Sequence, residues 1–190
     1  MLSAVVLAAG AGTRFGGTKQ LHPVGGKPLV QHAVDAAVGA GLDEVVVVVG
    51  HDAGRVRAAL SLPPGARVVL NPRHAEGMAT SLAAGLDACH PASRGAVVLL
   101  ADQPGITAAH VRALVDAWRR SGAPIVRLRF RDGPGPALLA RAAWDEARGL
   151  RGDTGARELM ARRPDLVEEV PVDAALPPDV DTPADLERLG

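Results

Sequence analysis

Apolar runs alternate along this chain with stretches in which apolar residues recur every three or four positions. That is the rhythm of strands and amphipathic helices laid down in turn. Ser3–Ala8 is a short apolar run flowing into glycine-rich sequence, which predicts a strand and then a loop. Pro28 suits the first turn of a helix with a buried face of Leu29, Ala33, Val34, Ala37 and Val38, before Gly39 and Gly41. Glu44–Val49 contains five consecutive valines, the mark of a strand covered on both faces in a parallel sheet. A helix over 55–60, the break Pro63-Pro64-Gly65 and a strand at Ala66–Leu70 follow. Met78–Ala88 reads as a helix opened by Gly77, and 96–101 as a wholly apolar strand that ends in Asp102. An amphipathic helix over 108–120 places Trp118 in the core.

Beyond that helix the rhythm loosens. Residues 124–130 predict a strand, Gly133-Pro134-Gly135-Pro136 a turn, and 142–147 and 155–162 helices. Val167–Val172 reads as a late strand and 183–189 as a short terminal helix. There is no internal repeat, low-complexity tract or linker long enough to divide domains. The expected fold is therefore α/β: one Rossmann-like three-layer domain over residues 1–190, built on a mostly parallel sheet.

Composition narrows the class. The 21 basic and 21 acidic residues balance, which gives no electrostatic case for nucleic acid or an anionic membrane as partner. The single Cys89 excludes an intramolecular disulfide and a cysteine-rich metal site, and it suits a reducing compartment. No apolar run approaches the ~20 residues that span a bilayer. The N-terminal apolar stretch has no basic region before it, so it does not read as a signal peptide. The expectation is a cytoplasmic domain. Only Lys19 and Lys27 are lysines among the basic residues, and both lie near the N-terminus. A compact ammonium there would suit a phosphate oxygen, although so few residues can also cluster by chance.

The loop after the first strand carries the candidate chemistry. In Leu7-Ala8-Ala9-Gly10-Ala11-Gly12-Thr13-Arg14-Phe15-Gly16, Gly10 and Gly12 let backbone N–H groups approach a phosphate chain. Arg14 can fork onto phosphate oxygens, and Lys19 can fold back over the same anion. The Gly-Lys-Ser/Thr ending of a Walker loop is absent, and Phe15 stands where a dinucleotide fingerprint needs its third glycine.

Leu7-Ala8-Ala9-Gly10-x-Gly12-x-Arg14-x-Gly16, with Lys19 and Pro23-x-Gly25-Gly26-Lys27-Pro28-Leu29 behind it, resembles the signature of nucleotidyltransferases with a glycosyltransferase-A-like fold. The resemblance implies that this loop wraps a nucleoside triphosphate and that Arg14 and Lys19 neutralise its phosphates. It also implies a nucleotide-binding half at about 1–105 and an acceptor-binding half at 106–190. Lys27 either joins that role or anchors the following helix.

Two acidic elements bear on metal binding. Asp102 ends an apolar strand, where ligands of an open parallel sheet bind, and Pro104 keeps Gln103 out of helix. A carboxylate there suits Mg²⁺, while a solvated turn Asp capping the next helix is the plainer reading. In Asp179-Val180-Asp181-Thr182-Pro183, alternate carboxylates on extended chain point the same way and could face one ion. Equally, Asp181 or Thr182 could cap the helix begun at Pro183. The family resemblance makes Asp102 and Asp181 the metal ligands, with Mg²⁺ expected and Mn²⁺ the alternative.

Three more strings resemble the molybdenum cofactor cytidylyltransferase branch: Asn71-Pro72-x-x-x-x-Gly77-Met78-x-x-Ser81-Leu82, Asp102-Gln103-Pro104, and Leu150-x-Gly152-Asp153-x-Gly155-Ala156-Arg157. The guanylyl branch usually has Gly-Gly at Ala9-Gly10 and Asn at 179 and 181, so CTP is the nucleotide implied. Asn71 and Ser81 would then join Leu7, Ala8, Ala9, Gly10 and Gly12 around the nucleotide. Gly77, Asp153 and Arg157 would face the acceptor, molybdopterin or the molybdenum cofactor. Gly77 and Ser81 also fit ordinary helix capping, and Arg157 a neighbouring carboxylate. The branch usually reads Gly-His-Pro where this chain has Gly135 in place of the His. The implied reaction is CMP transfer from CTP with pyrophosphate release. Its rivals are GTP or another phosphorylated acceptor on the same fold, and a non-catalytic nucleotide-binding chaperone serving a molybdenum hydroxylase.

Overall fold

The computed structural model describes residues 1–13 and 15–187. Its strands are β1 (Ser3–Ala8), β2 (Pro23–Val24), β3 (Lys27–Pro28), β4 (Glu44–Val49), β5 (Ala66–Leu70), β6 (Gly95–Leu100), β7 (Ile125–Phe130), β8 (Pro134–Ala140) and β9 (Val167–Val172). The helices are α1 (Leu29–Gly39), α2 (Ala53–Ala59), α3 (Met78–Ala88), α4 (Ala108–Ser121), α5 (Trp144–Arg148), α6 (Ala156–Arg162) and α7 (Pro183–Glu187). None of the described helices is long and apolar enough to cross a membrane.

One seven-stranded sheet runs in the order β5-β4-β1-β6-β8-β7-β9, and only β8 is antiparallel to its neighbours. β1 lies between β4 and β6, with Val5 beside both Val46 and Val98. Alternate side chains of these strands are dealt to two separate cores. Val6, Val47 and Leu99 pack under α1, α2 and α4, and Val5, Val48 and Val98 under α3, α5 and α6. Burial on both faces is why these strands read as unbroken apolar runs. The architecture is the expected three-layer α/β sandwich.

The seat of α3 is set by a missing side chain. A Cβ on Gly85 would lie 2.3 Å from Val5 Cγ1, so the helix backbone rests directly on β1. Gly85→Val should therefore destabilise the fold by about 2 kcal/mol through overpacking, read from urea unfolding. An unchanged midpoint would mean that α3 has room to move off the sheet.

At the end of the sheet away from the glycine loop, a polar plug closes the first layer. Glu44 is buried and accepts bonds from Ser3 Oγ (2.5 Å), Arg67 Nη1 (2.6 Å) and His90 N (3.0 Å). Burial pushes its carboxyl up, but these three donors outweigh that and hold it below its ordinary value. A lowered folded pKa gives stability that is fully present above the unfolded value, about 4.3. It is lost as pH falls through the folded value. Stability of the wild type should thus drop more steeply below about pH 4.3 than that of Glu44→Gln, and parallel curves would contradict this.

The structure corrects three local expectations. Gly133-Pro134-Gly135-Pro136 is not simply a turn, because Pro134 begins β8. The ladder with β6 starts only at Ala137, so both prolines lie where no donor to β6 is required. Pro28 is the N-cap of α1 rather than its first helical residue, and it pairs with Pro23 across a hairpin turned by Gly25 (φ 53°) and Gly26 (φ 82°). Val38 is 40% exposed, because it lies about 100° round the helix from Ala37, which faces the sheet. Trp118 packs half-buried against the core, with Arg94 5.4 Å from its ring centroid. The terminal helix was expected over 183–189; its last two residues lie outside the described residues.

Candidate active site

β1 delivers the chain into the glycine loop. Gly12 has φ 60°, and a Cβ there would meet Gly17 O at 2.3 Å. Phe15 N and Gly16 N both donate to Gly12 O, at 2.9 and 3.1 Å, so the loop doubles back on itself. Gln20 anchors the near side by donating from Nε2 to Gly10 O at 2.7 Å. Its Oε1 is buried and has no hydrogen-bond partner among the described residues.

Asp102 lies two residues beyond β6. Ala101 N still donates to Leu7 O at 3.1 Å, which holds this turn against the end of β1. Val180 N donates to Asp102 O at 2.9 Å, drawing the C-terminal segment alongside. Lys19 fills the junction: its Nζ lies 2.7 Å from Asp102 Oδ2, 3.1 Å from Asp181 Oδ1 and 3.0 Å from Val180 O. Burial alone would lower the Lys19 pKa, but the two carboxylates outweigh it and raise it above the ordinary value. The ammonium is therefore charged throughout the neutral range.

The other carboxylates nearby have different work. Asp179 accepts a bond from Gln103 Nε2 at 2.7 Å, so the alternate spacing of 179 and 181 does not turn both toward the cavity. Burial raises the Asp179 pKa; Gln103 opposes that, and the charges of Asp102 and Asp181 add to it. α7 is capped by Asp185, which accepts from Asp181 N (3.1 Å), Thr182 N (2.8 Å) and Thr182 Oγ1 (2.8 Å). The Asp181 side chain reaches Lys19.

A cavity of about 620 Å³ opens over this floor. Leu7, Ala9, Gly10 and Gly12 line one wall, Lys19, Asp102 and Asp181 the floor, and Gly77, Ser81 and Asp153 the opposite wall. Ala8 is buried in β1 behind the wall. Asn71 stands behind Ser81, donating from Nδ2 to Ser81 Oγ (3.0 Å) and Thr80 Oγ1 (2.9 Å) while Oδ1 accepts from Arg73 N (2.9 Å). Arg157 is exposed on α6 and does not line the cavity. Arg14 lies outside the described residues. Lys27 pairs with Asp35 on α1, away from the cavity.

Gln20, His74 and Glu76 line the cavity and were not singled out from sequence. A Cβ on Gly50 would come 2.5 Å from His74, so this glycine makes room for the ring, a relation that spacing along the chain does not reveal. The far wall is a joint between two segments. Gly77 has φ 113°, and a Cβ there would lie 2.2 Å from Gly152 C. Ala79 N donates to Gly152 O at 3.1 Å, and Met78 N approaches Asp153 Oδ1 at 3.4 Å. The N-terminus of α3 thus already receives a carbonyl and a carboxylate from the 152–153 loop. Gly135 has a packing reason of its own, because a Cβ would lie 2.5 Å from the Phe130 ring, whose centroid is 5.3 Å from that of His110.

The donor set fits a hard divalent cation. Asp102, Asp181 and the Val180 carbonyl converge on one point, and Asp102 Oδ1 is buried without a hydrogen-bond partner among the described residues. No group of three or more His, Cys, Asp or Glu that could hold a metal occurs among the described residues. Two carboxylates, with phosphate and water completing the shell, is the usual arrangement for a metal that arrives with a nucleotide.

Residues 4–167 match the family model described as the MobA-like NTP transferase domain. The chain belongs to this family. It is 34% identical to the nicotine blue oxidoreductase of Paenarthrobacter nicotinovorans, covering 99% of this chain and 96% of that one. Among solved structures, it superposes on Rv0371c of Mycobacterium tuberculosis H37Rv with TM-score 0.88 and 35% identity, over 99% and 96% of the two chains. That protein is also known in complex with manganese. A nucleotidyl transferase from Methanothermobacter thermautotroptrophicus gives TM-score 0.84 at 26% identity, over 100% and 95%. Bifunctional GlmU proteins match as well, but the chain spans only about a third of their length, 34% for that of Sorangium cellulosum. As a MobA-like protein the chain is a nucleotidyltransferase of the glycosyltransferase-A-like type, acting on a nucleoside triphosphate.

Proposed function

We propose that this MobA-like protein is a magnesium-dependent cytidylyltransferase that moves CMP from CTP to the phosphate of molybdopterin, releasing pyrophosphate. The observation that carries the reading is the convergence of Lys19, Asp102 and Asp181 on the floor of the cavity walled by the glycine loop. Ala9, Asp179 and Asp181 favour CTP, since the guanylyl branch usually differs at those positions. Residues 1–105 then hold the nucleotide and 106–190 the acceptor.

In the reaction, a phosphate oxygen of the acceptor attacks the α-phosphorus of CTP in line. The bond from that phosphorus to the bridging oxygen breaks, and pyrophosphate leaves with the electron pair. An anionic phosphate needs no deprotonation at neutral pH, so no general base is required. Gly10 and Gly12 bring backbone close to the phosphate chain, Lys19 supplies a positive charge, and Arg14 adds its guanidinium. Asp102 and Asp181 would hold the magnesium, which supplies further neutralisation of the phosphate charge when bound.

The test is pyrophosphate release with each of the four nucleoside triphosphates, with and without molybdopterin. Release with CTP and molybdopterin alone is expected. Turnover with GTP would shift the reading to the guanylyl alternative, and tight CTP binding without release to the chaperone alternative for a molybdenum hydroxylase. The loop has its own test. Gly12→Ala should weaken CTP binding by about tenfold or more in calorimetry, since strain of ~1.4 kcal/mol passed to the loop suffices. Unchanged affinity would place the triphosphate elsewhere.

One observation favours a second reading: a relative matching 99% of this chain bears the name of an oxidoreductase. The glycine loop retains two of the three fingerprint glycines of dinucleotide sites. Titration with NADPH separates the readings, because a cytidylyltransferase shows no saturable binding in the range where CTP binds.

A further inference from the structure

The Lys19 ammonium stands between the same two carboxylates assigned to the metal. Its distances to Asp102 Oδ2 (2.7 Å), Asp181 Oδ1 (3.1 Å) and Val180 O (3.0 Å) make it a third ligand-sharing partner at the point where those oxygens converge. Only 13% of its side chain is exposed, so this is a held ion pair rather than a passing surface contact. A divalent ion bound to both carboxylates would face an ammonium within bonding distance of the same oxygens. Two cations cannot share that point without strong repulsion. Lys19 would therefore have to leave as the metal arrives, toward a triphosphate bound in the cavity that it lines.

We propose that Lys19 is an exchangeable counter-cation that couples metal binding to triphosphate binding. It occupies the carboxylate pair until a metal displaces it, and the triphosphate then takes its ammonium. The proposal rests on the metal assignment made above. It adds that a free divalent ion binds weakly alone, because it must expel an ammonium that has no new partner. With a triphosphate present, the released ammonium is paired again, so each ligand strengthens the other. The coupling runs through one side chain with two positions and needs no movement of the sheet. The ammonium bonds Oδ2 of Asp102, while its Oδ1 is buried without a hydrogen-bond partner among the described residues, an acceptor that a displacing ion would satisfy.

The test is Mn²⁺ binding followed by electron paramagnetic resonance on the whole protein without nucleotide, for wild type, Lys19→Met and Asp102→Asn. Lys19→Met should bind Mn²⁺ at least about tenfold more tightly than wild type, and the gain from adding CTP should shrink correspondingly. Equal or weaker Mn²⁺ binding by Lys19→Met overturns the exchange. If Asp102→Asn binds as well as wild type, the ion sits elsewhere and the metal assignment itself fails. Loss of binding in Asp102→Asn with no gain in Lys19→Met sinks the exchange alone. A second measurement needs no variant at position 19. The chain has two lysines, so mass spectrometry can follow acylation of Lys19 with Lys27 as internal reference. Mn²⁺ alone should speed modification of Lys19 severalfold relative to Lys27, and an unchanged or slower ratio contradicts the release.

Discussion

Asp102→Asn should lower turnover by about a thousandfold while leaving the fold intact, in line with the loss of one transition-state charge stabiliser. The amide keeps the shape of the carboxylate, so the bond from Val180 N to the Asp102 carbonyl is undisturbed. What disappears is a negative charge and a hard oxygen ligand. Both charged roles at this point depend on it, because Asp102 is the nearest carboxylate to Lys19 and half of the pair assigned to the metal. Steady-state pyrophosphate release gives the loss, and a thermal melt confirms that the variant is folded. Turnover near the wild-type rate would remove Asp102 from the chemistry.

Trp144→Ala should destabilise the protein by about 4 kcal/mol, within the range for removing a large aromatic side chain from a core. Trp144 is fully buried at the start of α5, and its Nε1 donates to Leu139 O at 3.0 Å. The Arg141 guanidinium lies 4.3 Å from its ring centroid. The residue thus ties α5 to the antiparallel strand β8 and fills the layer that α3 and α6 share. Trp144→Phe should cost less, since most of the ring volume stays, with the Leu139 bond lost. Urea unfolding with a fixed slope measures both, and a loss below about 1 kcal/mol in the alanine variant would contradict the packing described.

The sheet was legible wherever burial on both faces writes itself into the chain. The five valines of β4 and the apolar runs of β1 and β6 could hardly belong elsewhere. β8 does not read as a strand in the sequence because its first residues are Gly-Pro-rich, and local propensity speaks for a turn there. The register shows why a strand survives: pairing with β6 begins after Pro136. Antiparallel insertion of β8 between β6 and β7 is a tertiary choice, invisible in local pattern.

The site was legible in parts. Lys19, Asp102 and Asp181 share one cavity, and motif and family resemblance group them. The spacing of 179 and 181 suggested a matched pair, but Gln103 takes Asp179. Asn71 stands behind Ser81 rather than at the cavity wall, and Arg157 sits on the outer side of α6. His74 reaches the cavity because Gly50 lacks a Cβ, a contact between segments far apart in the chain. Gly135, where the branch usually has His, lies against Phe130 so closely that any side chain would need the ring to move. This position is therefore one where the chain departs from the branch it resembles.

A crystal structure of the protein with CTP and magnesium would show whether this cavity holds the triphosphate and the metal. The expected result is the triphosphate across Gly10 and Gly12, magnesium held by Asp102 and Asp181, and the Lys19 ammonium within hydrogen-bond distance of a phosphate. A nucleotide bound with its phosphates outside this cavity, or a metal that leaves Asp102 untouched, would contradict it.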